Sequence, residues 1–185
     1  MDSKRKMIIS ITIFAVAILA VVITIVSVLA AQNVTVNSSI NVHYTSSQKA
    51  AKVTAKYQVA GGSLTDLGSI EFEGDETGTD ATKDLTGGVK TISGLSDTNN
   101  WVEFVFTFTN EGSSEYTATL TLPSTVENFT ISYTHASGVG VSSATDTSFV
   151  LAGNTTTPVE YKIKFTIGVV ADDATLNGDF EWVLS

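Results

Sequence analysis

Apolar and polar residues alternate with a period of two along most of the chain after Ala31. Strict alternation places successive side chains on opposite faces of a half-buried β-strand. The clearest example is residues 101–109, and its even-numbered face carries Val102, Phe104, Phe106 and Phe108. We expect this face to lie in the core. No segment after Ala31 has the 3.6-residue period of an amphipathic helix.

Further alternating or apolar segments predict more strands. The residues Val53, Ala55, Tyr57 and Val59 are expected to face inward. The apolar residues that mark the other strands are Leu67, Ile70, Phe72, Val89, Ile92, Leu95, Tyr116, Ala118, Leu120, Leu122, Phe129, Ile131, Tyr133, Phe149, Val150, Leu151, Val159, Tyr161, Ile163, Phe165, Ile167, Val169, Phe180, Trp182 and Leu184. The Gly-containing turn at residues 110–113 predicts a hairpin between its flanking strands. Residues 73–88, which are rich in Gly, Thr and Asp, are interpreted as a loop.

These segments together predict the fold class. About nine short strands separated by turns, without a helical pattern, are typical of an antiparallel β-sandwich of the immunoglobulin-like or jelly-roll type. The chain contains no repeat and no long linker, so residues 32–185 are expected to form a single all-β domain.

The first alternating segment of this domain is residues 34–44. Its apolar face consists of Val34, Val36, Ile40, Val42 and Tyr44, and its polar face includes Asn41 and His43. The segment is neutral apart from His43 and begins only a few residues after Ala31.

An apolar run begins at Met7 and ends at Ala31. A membrane span needs about 20 apolar residues, whereas the apolar region of a cleavable signal has about 7 to 15. Length therefore favours a retained anchor. The small residues Ala30 and Ala31 favour cleavage at this point. Residues 1–31 are thus either a signal peptide or a transmembrane helix that holds the protein in the membrane, and both alternatives stay open.

Orientation does not depend on that choice. The basic residues Lys4, Arg5 and Lys6 precede the apolar run and keep the N-terminus inside. We therefore expect the β domain to be extracytoplasmic, either membrane-anchored or secreted after cleavage near Ala30 or Ala31.

The charge of the exported part excludes one class of partner. The whole chain has 10 basic and 19 acidic residues; without Asp2, Lys4, Arg5 and Lys6 it has 7 and 18, a net charge of −11 with no arginine. Nucleic-acid binding needs a basic surface, so we expect no nucleic-acid partner.

Catalytic and metal-binding chemistry has little support in the sequence. Cysteine is absent, and the two histidines, His43 and His135, lie outside any nucleophile motif. We expect no enzyme activity and no cofactor, with a carboxylate-dependent hydrolase as a distant third hypothesis. Weak calcium candidates are Asp75, Glu76, Asp80 and Asp84, although their spacing lacks the regular oxygen ligands of a helix-loop-helix site. A second acidic cluster, Asp172, Asp173, Asn177 and Asp179, is likewise interpreted as solvated.

Two surface features complete the set of candidates. Trp101 lies on the odd-numbered face of its strand and is interpreted either as a cap on the edge of the core or as part of a contact surface. Glycosylation sequons occur at Asn33, Asn37, Asn128 and Asn154.

The aromatic strand 102–109 that runs into Asn110-Glu111-Gly112-Ser113, together with Gly178-Asp179-Phe180-Glu181-Trp182, resembles segments of TasA/camelysin-type biofilm fibre subunits. These proteins also have a basic-apolar leader and lack cysteine. The leader here departs from theirs, because it lacks a Gly-Thr-Tyr-Ala-like cleavage region. The resemblance implies a surface fibre subunit whose N-terminal strand, freed by cleavage, inserts into the sheet of the next subunit. The candidate donor here is the segment 34–44, and the alternative is that this segment pairs within its own domain while the apolar run stays in the membrane.

The function expected from the sequence is therefore structural. The first hypothesis is a non-enzymatic cell-surface protein that self-associates or binds another surface protein, as a fibre subunit that donates the strand 34–44. The alternative hypothesis is a monomeric, membrane-anchored β-sandwich that acts as a binding or adhesion module.

Overall fold

The computed structural model describes residues 34–44, 51–72, 81–84, 90–92, 95, 99–167 and 174–185. The described part of the chain is all-β and contains fifteen strands in three sheets. The strands are β1 (Val34–Ser38), β2 (Ile40–Tyr44), β3 (Ala51–Val59), β4 (Thr65–Phe72), β5 (Ala81–Asp84), β6 (Lys90–Ile92), β7 (Trp101–Asn110), β8 (Tyr116–Thr121), β9 (Thr125–Glu127), β10 (Phe129–Thr134), β11 (Val141–Ser142), β12 (Ser148–Leu151), β13 (Thr155–Ile167), β14 (Ala174–Asn177) and β15 (Phe180–Leu184).

One layer of the fold is a five-stranded antiparallel sheet with the order β10-β13-β7-β3-β4. Its central strand is β7, and the even-numbered face of β7 is buried as the alternation predicts. Val102, Phe104, Phe106 and Phe108 all have 1% exposure or less. This strand is therefore the centre of the hydrophobic core.

The other layer is formed by two sheets that continue into each other. The four-stranded sheet has the order β6-β1-β14-β9, and the six-stranded sheet has the order β11-β12-β8-β15-β2-β5. Only Ser39 separates β1 from β2, and only Gly178 and Asp179 separate β14 from β15. The chain thus passes from the four-stranded into the six-stranded sheet at two places, from β1 to β2 and from β14 to β15, and these two places lie side by side.

Aromatic side chains join the two layers. The ring centroids of Phe104 and Phe180 are 4.7 Å apart, those of Phe106 and Trp182 are 5.4 Å apart, and those of Phe108 and Trp182 are 4.8 Å apart. Tilted and edge-to-face contacts at such distances add to the free energy gained by burial. Because β7 and β15 belong to different layers, this packing fits a β-sandwich.

A bulge explains an irregular pattern in β4. The buried residues Leu67, Ile70 and Phe72 are spaced by three and then by two. The pairing of β3 with β4 shifts register between Ala55 and Lys56, and the opposite residue Gly68 has φ +121°. An inserted residue of this kind changes the face on which later side chains lie. The strand predicted from Leu67, Ile70 and Phe72 is confirmed as β4.

The predicted hairpin across residues 110–113 is wrong. β7 pairs with β3 and β13, whereas β8 pairs with β12 and β15 in the other layer. The buried Asn110 side chain holds the crossing: its Nδ2 donates to Ser114 O at 2.8 Å and to Leu151 O at 3.2 Å. A short Gly-containing turn between two alternating strands suits either connection, because each strand buries one face in both arrangements.

Three further expectations need correction. Residues 81–84, inside the predicted loop, form β5. The described residues contain fifteen strands where about nine were expected, because the bend at Ser39 divides the predicted strand 34–44 and because the short strands β5, β9, β11 and β14 lie where no strand was predicted. The pairing is also not antiparallel throughout, since β1 with β14 and β2 with β15 are parallel. These partners lie far apart in sequence, so no short turn imposes an antiparallel pairing on them.

The predicted apolar helix at residues 7–31 lies outside the described residues. Within the described ranges, no helix has the length and apolarity needed to cross a bilayer.

The two tryptophans offer a matched test of this core. We expect Trp182→Ala to lower the free energy of unfolding by about 3–5 kcal/mol, because it removes a fully buried ring. Trp101→Ala should cost about 1 kcal/mol or less, because its half-exposed ring has Lys164 over its face. Urea denaturation followed by circular dichroism measures both values. Equal losses would contradict the assignment of Trp182 to the core.

Candidate assembly site: the N-terminal strand and its groove

The N-terminal strand segment, defined here as β1 and β2 with Ser39 between them, has a strand on both sides. β1 lies between β6 and β14, and β2 lies between β5 and β15. We call the space between these flanking strands the acceptor groove. The segment therefore belongs to the interior of its layer and is not an edge strand.

The register of the segment is continuous against the C-terminal strands. Val34 pairs with Ala174, and Asn37 pairs with Asn177. Beyond the bend, Ile40 pairs with Phe180. Each pair is separated by 140 residues, the same separation as between Ser39 and Asp179. The pairing therefore keeps one register across both sheets, and the segment lies beside the C-terminal strands as a single bent strand.

Burial confirms three of the five apolar positions that the alternation predicts for this segment. Val36, Ile40 and Val42 are 0%, 2% and 0% exposed, whereas the side chains of Val34 and Tyr44 lie outside the described set. Each buried aliphatic side chain of this size stabilises the folded state by about 1.5–3 kcal/mol. The segment is therefore an integral part of the core.

The bend between the two sheets forms a feature that we call the crease, which consists of Ser39, Pro123, Ser124, Gly178 and Asp179. β14 pairs with β9 and β15 pairs with β8 in one register, so Pro123 stands opposite Asp179. Proline has no N–H to donate to a ladder, which interrupts the β8–β9 strand at this level. Three neighbouring strands therefore bend together.

Gly178 is required at the crease for two reasons. Its φ is +113°, which side chains rarely adopt, and a Cβ would lie 2.8 Å from Ser124 Oγ and 2.9 Å from Ser124 N. Its N–H donates to Asn37 O at 3.1 Å. The glycine thus brings the C-terminal strand into contact with its neighbours on both sides.

Asp179 connects the crease to the N-terminal strand segment. Its carboxylate accepts hydrogen bonds from Ser39 Oγ and, at 3.4 Å, from Asn41 Nδ2. The Phe180 N–H donates to Ser39 O at 2.9 Å. The sequence placed Asp179 in a solvated acidic cluster; no pattern in the sequence pairs it with a serine 140 residues earlier.

The calcium hypothesis receives no further support. Asp75, Glu76 and Asp80 lie outside the described residues, and Asp84 lies in β5 with its side chain outside the described set. Among the described side chains, no group of three or more potential metal ligands comes together. Asp172 and Asp173 of the second acidic cluster are also outside the described ranges.

The two histidines have different neighbours. His43 pairs with Val183 in the six-stranded sheet. His135 Nε2 lies 2.6 Å from Asp146 Oδ1, and both side chains are largely exposed. The buried Tyr161 hydroxyl donates to Asp146 O, and burial raises the pKa of Tyr161. These contacts tie the end of β10 to the loop before β12, which is a structural role.

The outer face of the five-stranded sheet carries the remaining surface candidate. Trp101 lies there under the Lys164 ammonium, which is 4.1 Å from the ring centroid. On the same face is a shallow cavity of about 300 Å³, whose lining includes Lys56, Leu64 and Pro158. The side chain of Leu64 is 52% exposed. This face is therefore a candidate contact surface.

The sequons differ in their surroundings. Asn128 and Asn154 are exposed and have φ of 59° and 58°, as is common for asparagine in turns. Asn37 lies within β1 and is half-buried, so a glycan there would interfere with the groove. Asn33 lies outside the described residues.

No family model matches the chain. A search of curated proteins likewise finds no match.

Two glycines provide a matched test of the crease. Gly178 and Gly138 have similar positive φ values, +113° and +125°, but a Cβ on Gly138 would meet nothing within 4 Å. We expect each alanine variant to lose about 1–3 kcal/mol through backbone strain. Gly178→Ala should lose about 1–3 kcal/mol more through the clash with Ser124. Thermal unfolding of both variants measures the difference, and equal losses would argue against a tightly packed crease.

Proposed function

We propose that this protein is a non-enzymatic structural protein of the cell surface that polymerises by donating its N-terminal strand segment. In the polymer, the segment of one copy fills the acceptor groove of the next. We propose further that the layers form a sandwich of the immunoglobulin-like or jelly-roll type.

The observation that carries this proposal is the way the segment is seated. It is hydrogen-bonded on both sides and buries Val36, Ile40 and Val42 in the core, yet only residues 45–50 connect it to β3. A second copy carries the same segment and therefore fits the same groove. Exchange of an identical element between copies conserves its contacts, so it is a low-cost route to assembly.

Protein concentration decides whether the segment occupies its own groove or the groove of another copy. A segment that folds back into its own groove has a high effective concentration there, and neighbouring copies must be dense enough to compete. Cleavage near Ala30 or Ala31 would free the N-terminal end of the segment. A retained anchor would keep that end at the membrane and prevent its transfer along a fibre.

The resemblance to TasA/camelysin-type subunits supports the same mechanism. The net charge of −11 for the exported part also favours it, because mutual repulsion limits non-specific association. Assembly would then depend on a directed contact such as strand insertion.

The second candidate function is a membrane-anchored monomer that binds a partner. The cavity on the outer face, with the exposed Leu64 at its rim, favours this alternative. In such a protein the segment stays permanently in its own groove.

A cysteine experiment distinguishes these functions, since the chain has no cysteine of its own. His43 and Val183 are paired across β2 and β15, and both are half-buried on the outward face. Paired residues of adjacent strands lie about 4.8 Å apart, within the Cα range of disulfides. We expect a mixture of His43→Cys and Val183→Cys chains, each comprising residues 32–185, to form a disulfide-linked heterodimer under oxidising conditions.

The control is a mixture of His43→Cys with Thr130→Cys, which places the second thiol on β10 in the other layer. This mixture should form at least about tenfold less heterodimer. In addition, a chain with both His43→Cys and Val183→Cys should close an internal disulfide and stop polymerising until it is reduced. Equal cross-linking of both mixtures, or polymerisation of the internally closed chain, would refute strand donation.

A further inference from the structure

The N-terminal strand segment has a problem of register. A slip of one residue would turn Asn41 and His43 into the core and is excluded by their polarity. A slip of two residues keeps the same face inward. In the direction that brings His43 opposite Glu181, it moves Ser38 into the position of Val36 and Tyr44 into the position of Val42. Hydrophobic burial therefore selects the face of the strand, whereas its preference for the observed register rests on these two exchanges.

The crease provides a second constraint. The segment bends at Ser39, and the C-terminal strand bends at Gly178 and Asp179. In the observed register the two bends coincide. A slip of two residues would place the bend of one strand beside the straight part of the other.

Asp179 distinguishes these registers through hydrogen bonds. Its carboxylate accepts from the Ser39 hydroxyl and from the Asn41 amide, which lie on either side of Ile40 on the same strand face. One oxygen serves each donor. The slip that brings His43 opposite Glu181 moves the segment two residues towards Asn177. It puts Asn41 opposite Asp179 and Ser39 opposite Asn177, so the two bonds are no longer made together.

We propose that Asp179 is the residue that sets the register of the inserted strand and selects its sequence. The strand it accepts carries a serine at the bend and an asparagine two residues later, with aliphatic side chains on the opposite face. A second copy of this chain meets that requirement. The part of this inference that concerns a strand from another copy rests on the proposed function.

The same contact operates when the segment lies in its own groove, so the test does not require a polymer. One double variant, His43→Cys with Val183→Cys, reports the observed register. The other, His43→Cys with Glu181→Cys, reports a slip of two residues. The fraction of internal disulfide at equilibrium with oxidised and reduced glutathione gives the ratio of the two registers.

We expect Asp179→Ala to lower this ratio of observed to slipped register by about 5- to 30-fold. Asp179→Asn, which keeps the shape but not the charge, should give an intermediate ratio. The matched control is Glu127→Ala, which removes an exposed carboxylate from β9 away from the segment. It should leave the ratio unchanged.

A second pair of substitutions, in the two hydrogen-bond donors, keeps the test valid if Asp179→Ala fails to fold. Ser39→Ala with Asn41→Ala should reproduce the effect of Asp179→Ala, and the combination of all three should add nothing more. A ratio that Asp179→Ala leaves unchanged, or effects that add fully, would overturn the inference.

Failure of the proposed function has a different signature. The register ratio within single chains would still respond to Asp179→Ala, while the mixture of His43→Cys and Val183→Cys chains would form no heterodimer above its control. If the heterodimer forms but the ratio ignores Asp179, strand donation stands and the role of Asp179 is refuted.

Discussion

The pairing of the first strand with the last holds the second layer of this protein together. β2 lies directly against β15, and β15 carries Phe180, Trp182 and Leu184, all fully buried. Trp182 in turn contacts the aromatic face of β7 in the other layer. Without the N-terminal strand segment, β15 would lose its hydrogen-bonding partner on one side and the core would lose three aliphatic side chains. Both the stability of the domain and its proposed assembly depend on this contact between β2 and β15.

The residues of the core were predictable because burial follows a local rule. Alternation identifies the inward face of β7 and of β15 from neighbouring residues alone, and the exposures of Phe106 and Trp182 agree with it. The partner of each strand obeys no such rule. The turn at 110–113 connects two alternating strands, but these strands pair with partners in different layers, and the buried amide of Asn110 stabilises the crossing through its hydrogen bond to Leu151 O. A hairpin and a crossing bury the same faces, so the alternation could not distinguish them.

In the candidate site, too, the locally determined features were predictable and the contacts between distant residues were not. The sequence identifies the segment 34–44 as a strand with an apolar face, and Val36, Ile40 and Val42 occupy that face. It does not identify the acceptor groove, because the walls of the groove come from distant parts of the chain. Gly178 and Asp179 illustrate this limit. Their importance arises from Ser124 on one side and Ser39 on the other, and these contacts exist only once three strands bend at one level.

The proposed function requires exchange of the N-terminal strand segment between copies, and exchange requires release of the N-terminal end of that segment. The most direct measurement is electron microscopy, at rising concentration, of the protein recovered from cells that produce the full chain, combined with its intact mass and N-terminal sequence. Strand exchange predicts a mature chain that begins near Gln32 and forms filaments above a threshold concentration. A full-length chain that stays with the membrane as a monomer, or a chain from Gln32 that remains monomeric at every concentration, would contradict it.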